Sequence, residues 1–342
     1  MIRTRTTLIV GPGAGSEVEL PDTGGLLAKT VQAFDFQRLG TRLQSADMKA
    51  LDAQFALFAT AAKVEKADLV RGAQVIRAAA RLGNSLDAIL DQHSHDEMVQ
   101  AAGKLAIAYF TLQAEGQSPL LGEPRDPGDL PIRGNENWLF QLGRTIVNGV
   151  PRAAAETCFD NLSIVSLSHD RAIEHFMPWL MQLAWGMGFA ESRAFVAEKL
   201  EVLRPFGKVG RLPWENGEAP AAGWGELPDK TLHRLAAELH TGAERVGDKK
   251  HLTRLHHAVS GAARLIFLGY DFNAQTNALL FDETGDRAPD IYAEVHGASA
   301  LSREAIGRLL ASRSGQTDRN QIALIDARPW QMLRDYALIF EN

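Results

Sequence analysis

Apolar and β-branched residues run together from Thr6 to Val10, with no charge among them, and predict a buried strand. A helix over residues 24–36 follows a turn. From residue 46 to residue 116 the pattern is almost unbroken helix. Leu51, Phe55 and Phe58 recur at four- and three-residue steps, and Val64, Leu69, Val75, Ile76 and Leu82 extend the stripe less regularly. Breaks are expected at 63–66, 82–85 and 93–95. Residues 97–116 are apolar enough for a buried helix. Residues 119–134, rich in Pro, Gly and Asp, read as an exposed connection, and residues 138–147 as another helix.

A second buried strand is expected at 162–167, followed by a helix from about 171 to 187. Residues 201–210 hold a short strand and a turn, and 211–228 an irregular surface loop. Helices are expected at 229–246 and 252–263. Strands follow at 264–268, 291–295 and 322–326, with a helix near 303–312. Strands alternating with helices predict an α/β fold, with a Rossmann-like, mostly parallel sheet covered on both faces. Residues 46–160 then form a large helical insertion within a single domain spanning 1–342.

The 342 residues carry a formal net charge of -6 and are 45% hydrophobic, ordinary for a globular chain. Mild acidity offers no general attraction to nucleic acid or to an anionic membrane. No apolar run approaches the roughly 18 residues of a spanning helix. Residues 1–7 lack the apolar core of a secretory signal. Cys158 is the sole cysteine, which excludes an internal disulfide and a four-cysteine zinc site and fits a reducing cytoplasm.

Gly11, Gly13 and Gly15 follow the first strand. Glycines there let backbone N–H groups approach a diphosphate at a helix N-terminus. The dinucleotide fingerprint needs a glycine where Ser16 stands, and no second strand carries an acidic residue some 20 positions on. Two readings stay open: a nucleotide cradle of Gly11, Gly13, Ala14, Gly15 and Ser16, or a tight glycine turn.

"VGPGAGSEVELP" (residues 10–21) resembles the "GAGAS…E-V-G-L-P" opening of sirtuin-like NAD-hydrolysing proteins of bacterial anti-phage defence. Further stretches match in order. Residues 84–115 resemble the family's helical subdomain. "IVSLSHDRAIEHF" (164–176) resembles its strand ending in "F-N-Y-D-R-S-L-E". "VLRPFGKVGRLPW" (202–214) resembles its histidine–glycine segment. "LIFLGYDFNAQTNALL" (265–280) resembles "F-L-G-F-G-F-H-P-Q-N". The resemblance covers most of residues 6–280. It implies an NAD+ glycohydrolase with NAD as substrate or ligand, homo-oligomeric assembly, and a hexameric DNA-translocating ATPase as partner. The single cysteine points to the zinc-free branch.

Several positions depart from that family. Ser168 stands in the place of its asparagine, with His169 and Asp170 following. Its histidine is replaced by Phe206, before Gly207, or by Arg204 in the other register. Gly15 stands for the loop serine, with Ser16 adjacent. Asp271 replaces the glycine after the third long strand, two residues beyond Gly269. Cleaving a nicotinamide–ribose bond needs a group to orient or accept a proton. His169 has that chemistry, since an imidazole titrates near pH 6.5. Alternation along a strand points His169 away from Ser168. Either the site is rewired around Ser168, His169 and Asp170, or the protein is a degenerate scaffold or nucleotide-sensing partner.

Blander readings apply elsewhere. Asp170–Arg171 reads as a helix cap followed by a solvated arginine, and Asp271 reads equally as a turn residue. A carboxylate beside a diphosphate would repel it. His93, His95, Asp96 and Glu97 lie at a helix break, where capping explains them better than a metal. His251, His256 and His257 read as a basic, solvated face. Phe176, Trp179, Trp185 and Phe189 read as core or subunit interface.

Overall fold

A computed structural model of the chain describes residues 1–122, 130–132, 134–246, 248–281, 288–315 and 321–341. The expected connection at 119–134 lies in large part outside them. Six strands form one parallel sheet: β1 (Thr6–Val10), β2 (Leu162–Ser166), β3 (Val202–Leu203), β4 (Arg264–Leu268), β5 (Asp290–Glu294) and β6 (Ile322–Ile325). Their order is β3-β2-β1-β4-β5-β6. The chain therefore reverses direction across the sheet between β1 and β4, the place where open α/β sheets bind ligands.

The sheet is buried on both faces, as its continuous apolar strands require. Leu8, Val10, Ile164 and Leu268 enter one core layer, whereas Ile9, Val165, Phe267 and Ile291 enter the other. The helices are α1 (Thr23–Ala33), α2 (Ala46–Ala62), α3 (Lys66–Ala79), α4 (Leu86–Gln92), α5 (Glu97–Gln117), α6 (Trp138–Val147) and α7 (Ala172–Trp185), with further helices among β2 to β6. The insertion breaks into α2 to α5 where the sequence places its stops. Ser45, Ser85 and Asp96 cap α2, α4 and α5 through their side chains. These helices share a core of their own, including Leu51, Phe55, Leu69, Ile76 and Leu105.

Three expectations give way. The helix over 229–246 is two short ones, Leu232–Ala236 and Gly242–Val246. Between them the backbone turns so that His240 N donates to Phe206 O at 3.0 Å. The loop over 211–228 is not a loose surface segment: Leu212 and Ala222 are buried, and Trp224 stacks on His175 with centroids 4.3 Å apart. Arg171 is not solvated but fully buried, held by both carboxylate oxygens of Glu115 and by Ala222 O at 2.6 Å. No helix among the described residues is long and apolar enough to cross a membrane.

Candidate functional site

The loop after β1 packs backbone to backbone against the loop after β4. Gly11 N donates to Leu268 O at 2.9 Å, Gly13 N to Gly269 O at 3.0 Å, and Ala14 N to Gly11 O at 3.2 Å. A Cβ on Gly13 would lie 2.9 Å from Gly269 O, and one on Gly11 would run into that same carbonyl. Gly269 has φ +57°, and a Cβ on it would collide with Ala14 N. Close approach of two main chains thus accounts for Gly11, Gly13 and Gly269. The amides of Gly11, Gly13 and Ala14 are committed to protein carbonyls. Ala14 is buried, and Gly15 faces Leu20.

Beyond that contact, two cavities flank the switch between β1 and β4. The larger, 720 Å³, is bordered by Gly13, Ser16, Glu17, Gly269, Glu294 and Arg328. Glu17 accepts hydrogen bonds from Trp138 N at 2.7 Å and Trp330 N at 3.1 Å. Burial pushes its carboxyl up to about 7, against the opposing effect of those two amides. Glu294 accepts from Gly269 N at 2.9 Å and His296 N at 2.7 Å, and burial raises its pKa too.

The second cavity, 340 Å³, is bordered by Phe206, Asp87, Asp91, Leu252, Asp271 and Leu279. A narrow neck of 30 Å³ beside it holds Ser168, His169 and Asp170. Pro12, Thr23, Asp87 and Leu167 border both spaces. Ser168, His169, Phe206 and Asp271 therefore gather at the carboxyl end of the sheet, from the ends of β2, β3 and β4. Gly207 does not open onto this cleft. It has φ +72°, and a Cβ there would strike Glu238 O.

His169 is 7% exposed, and its Nε2 lies 3.3 Å from Asp87 Oδ1. Burial works against the charge of Asp87, but the hydrogen bond and charge of His169 outweigh it and hold the carboxyl below its usual range. Nδ1 of His169 is buried and has no hydrogen-bond partner among the described residues. Asp87 sits in the first turn of α4, so the insertion supplies the carboxylate and the sheet supplies the imidazole. Ser168 Oγ lies 3.1 Å from Ser166 Oγ. Asp170 accepts from Ala172 N, at the first residue of α7, at 2.9 Å, but the N-cap position expected for it is taken by Arg171. Asp271 holds its own turn through Asn273 Nδ2 at 2.9 and 2.8 Å.

Arg204 lies away from this cleft, so Phe206 is the residue that borders it. Arg204 donates to both oxygens of Glu174, at 2.9 and 2.7 Å, and to Ser168 O at 3.0 Å and Ser166 Oγ at 3.2 Å. Lys208 reaches Glu174 at 3.0 Å and also binds Glu215. Burial opposes the charge of Glu174, yet Arg204 and Lys208 hold it well below the usual carboxylate range. This network anchors the main chain that carries Ser168 and His169.

His256 also departs from the basic-face reading. It borders the 340 Å³ cavity, and its Nε2 lies 2.9 Å from Leu279 O. Phe176 is core, while Trp179 packs on Phe189 with centroids 4.5 Å apart. Asp87, Asp91, Glu17 and Glu294 are the site residues that sequence reasoning missed. A first-turn aspartate after the cap Ser85 carries no sign that it meets a histidine 82 residues later. No family model, curated protein or solved structure matches the chain.

Proposed function

We propose that the chain is a sirtuin-like NAD-binding protein with slow NAD+ glycohydrolase activity centred on His169 and Asp87. The observation that carries this reading is the His169–Asp87 pair, set in the neck beside the cleft, with Nδ1 buried and without a hydrogen-bond partner among the described residues. Cleavage breaks the bond between C1′ of the ribose and the pyridinium nitrogen, and the electron pair leaves on nicotinamide. Water adds at C1′ and gives up a proton. An imidazole, in its neutral form and oriented by a carboxylate at one nitrogen, is suited to take that proton. Arg204 is a positioning residue here, since it fixes Ser168 O and hence the main chain beside His169. Cavities on both sides of the β1–β4 switch give an extended ligand two compartments.

A second reading is a nucleotide-sensing or degenerate scaffold. It is favoured by the first loop, whose Gly11, Gly13 and Ala14 amides are spent on protein carbonyls rather than offered to a diphosphate. The test is incubation of the purified protein with NAD while free nicotinamide is followed. Slow release that His169→Ala abolishes supports the enzyme. No release, with no NAD binding by calorimetry, leaves the scaffold. The anti-phage role, the homo-oligomer and the hexameric ATPase partner rest on the resemblance alone. Co-expression with the neighbouring gene product, followed by size-exclusion chromatography, tests them.

A further inference from the structure

We infer that the 340 Å³ cavity is a binding site for a flat organic cation. Its wall combines the carboxylates of Asp87, Asp91 and Asp271 with the ring of Phe206 and the side chains of Leu252 and Leu279. Among the described residues no lysine or arginine borders it. The imidazole that does, His256, is engaged with Leu279 O. Two basic residues near this end of the insertion are paired elsewhere: Lys104 with Glu244 at 2.7 Å and Arg245 with Asp248 at 2.8 Å. Apolar side chains in the wall strip water from a ring, and carboxylates in the same wall then meet a positive charge at reduced dielectric. In the adjoining neck His169, more than nine-tenths buried, holds Asp87 through Nε2 at 3.3 Å, and its buried Nδ1 has no hydrogen-bond partner among the described residues.

The negative wall that would repel a diphosphate is therefore suited to the opposite end of a pyridine dinucleotide. Applied to NAD, the inference rests on the proposed function; the cation site itself does not. A pyridinium ring carries the charge that the wall recognises, whereas a dihydropyridine ring does not. Neutral nicotinamide, once it keeps the bond pair, loses the same attraction. The site should hold the oxidised dinucleotide and release both the reduced form and the product base.

The experiment is calorimetry on the full chain at low salt, with N-methylnicotinamide cation against neutral nicotinamide, and with NAD+ against NADH. The cation should bind about tenfold or more tightly than its neutral counterpart, since one charge pair at a partly buried site is worth at least that. Added salt should narrow the gap in the unmodified protein, with no need for a variant. Asp271→Asn and Asp91→Asn should narrow it too, with folding checked by thermal melting. Equal binding of cation and neutral ligand, or no binding of the cation, overturns the inference. Binding of N-methylnicotinamide without binding of NAD+ upholds the cation site and sinks the NAD reading. Equal binding of NAD+ and NADH does the reverse.

Discussion

His169 Nε2 lies 3.3 Å from Asp87 Oδ1, which joins the end of β2 to the first turn of a helix in the insertion. The two residues make the insertion part of the site rather than a decoration on it. If this pair handles the proton, His169→Ala should lower nicotinamide release by roughly 10²–10⁴-fold, the usual cost of losing a general base. Asp87→Asn should lower it less, because the imidazole stays while its tautomer and orientation loosen. Fast release that survives His169→Ala would defeat the assignment and send the search to Ser166, Asp170 and Asp271.

Phe206 borders the cleft at the position where the resemblance places a histidine. Its ring can pack against a ligand but cannot move a proton. Phe206→His should therefore raise nicotinamide release, measured at neutral pH in the same assay. No gain, in a variant that melts like the parent, would show that the pocket lacks more than one missing imidazole.

Gly269 should tolerate no side chain. Its φ is +57°, and a Cβ would collide with Ala14 N in the facing loop. Gly269→Ala should cost roughly 2–4 kcal/mol in denaturant unfolding, from backbone strain and overpacking together. Gly149 is the control, with φ +70° and open space around its Cβ position. Gly149→Ala should cost about 1 kcal/mol, the backbone contribution alone. Equal costs at the two sites would remove the loop-to-loop contact as the reason for the glycine.

The sheet was legible because its strands are buried on both faces. Runs such as Arg264–Leu268 carry their burial in composition alone, and helix starts such as those at Ser85 and Asp96 announce themselves by capping chemistry. The site was less legible, because its decisive contacts join residues far apart in the chain. Asp87 reads as an ordinary first-turn acid until the fold sets it beside His169. Arg171 follows a capping aspartate and looks solvated. Only the fold reveals Glu115, 56 positions earlier, near the end of α5. The glycines of the first loop were visible, but spacing cannot tell whether such a loop approaches a phosphate or another main chain.

Glu115→Gln should be among the most damaging single changes. Arg171 and Glu115 are both fully buried and bonded to one another through two oxygens. Removing one charge leaves the other without its counterion in a dry site, at a cost of about 3–5 kcal/mol. Arg171→Met combined with Glu115→Leu should recover much of that loss, since an apolar pair leaves no stranded charge. Chemical denaturation of the single and double variants checks this, and a double variant no better than Glu115→Gln would refute it.

The pH dependence of stability should carry the signature of Glu17. Burial raises its pKa from 4.5 in the unfolded chain to about 7 in the fold, despite the hydrogen bonds from Trp330 and Trp138. Between those two values the native state holds a proton that the unfolded chain has released. Stability from this group is therefore fully present below the lower value and is lost as pH rises toward 7. Glu294 and Asp91 are shifted in the same direction, so the slope has several sources. Glu174 works oppositely, since its lowered pKa removes stability only in strong acid. Glu17→Gln isolates one share: it cannot titrate, and because Trp138 N and Trp330 N donate to different oxygens of Glu17 it keeps an acceptor for only one of them, a loss that shifts the whole curve without changing its slope. Unfolding free energies measured from pH 5 to 8 should fall less steeply in Glu17→Gln than in the parent. Parallel curves would mean that Glu17 stays ionised throughout, its charge held by the N-terminal amides of α6 and of the helix that begins at Pro329.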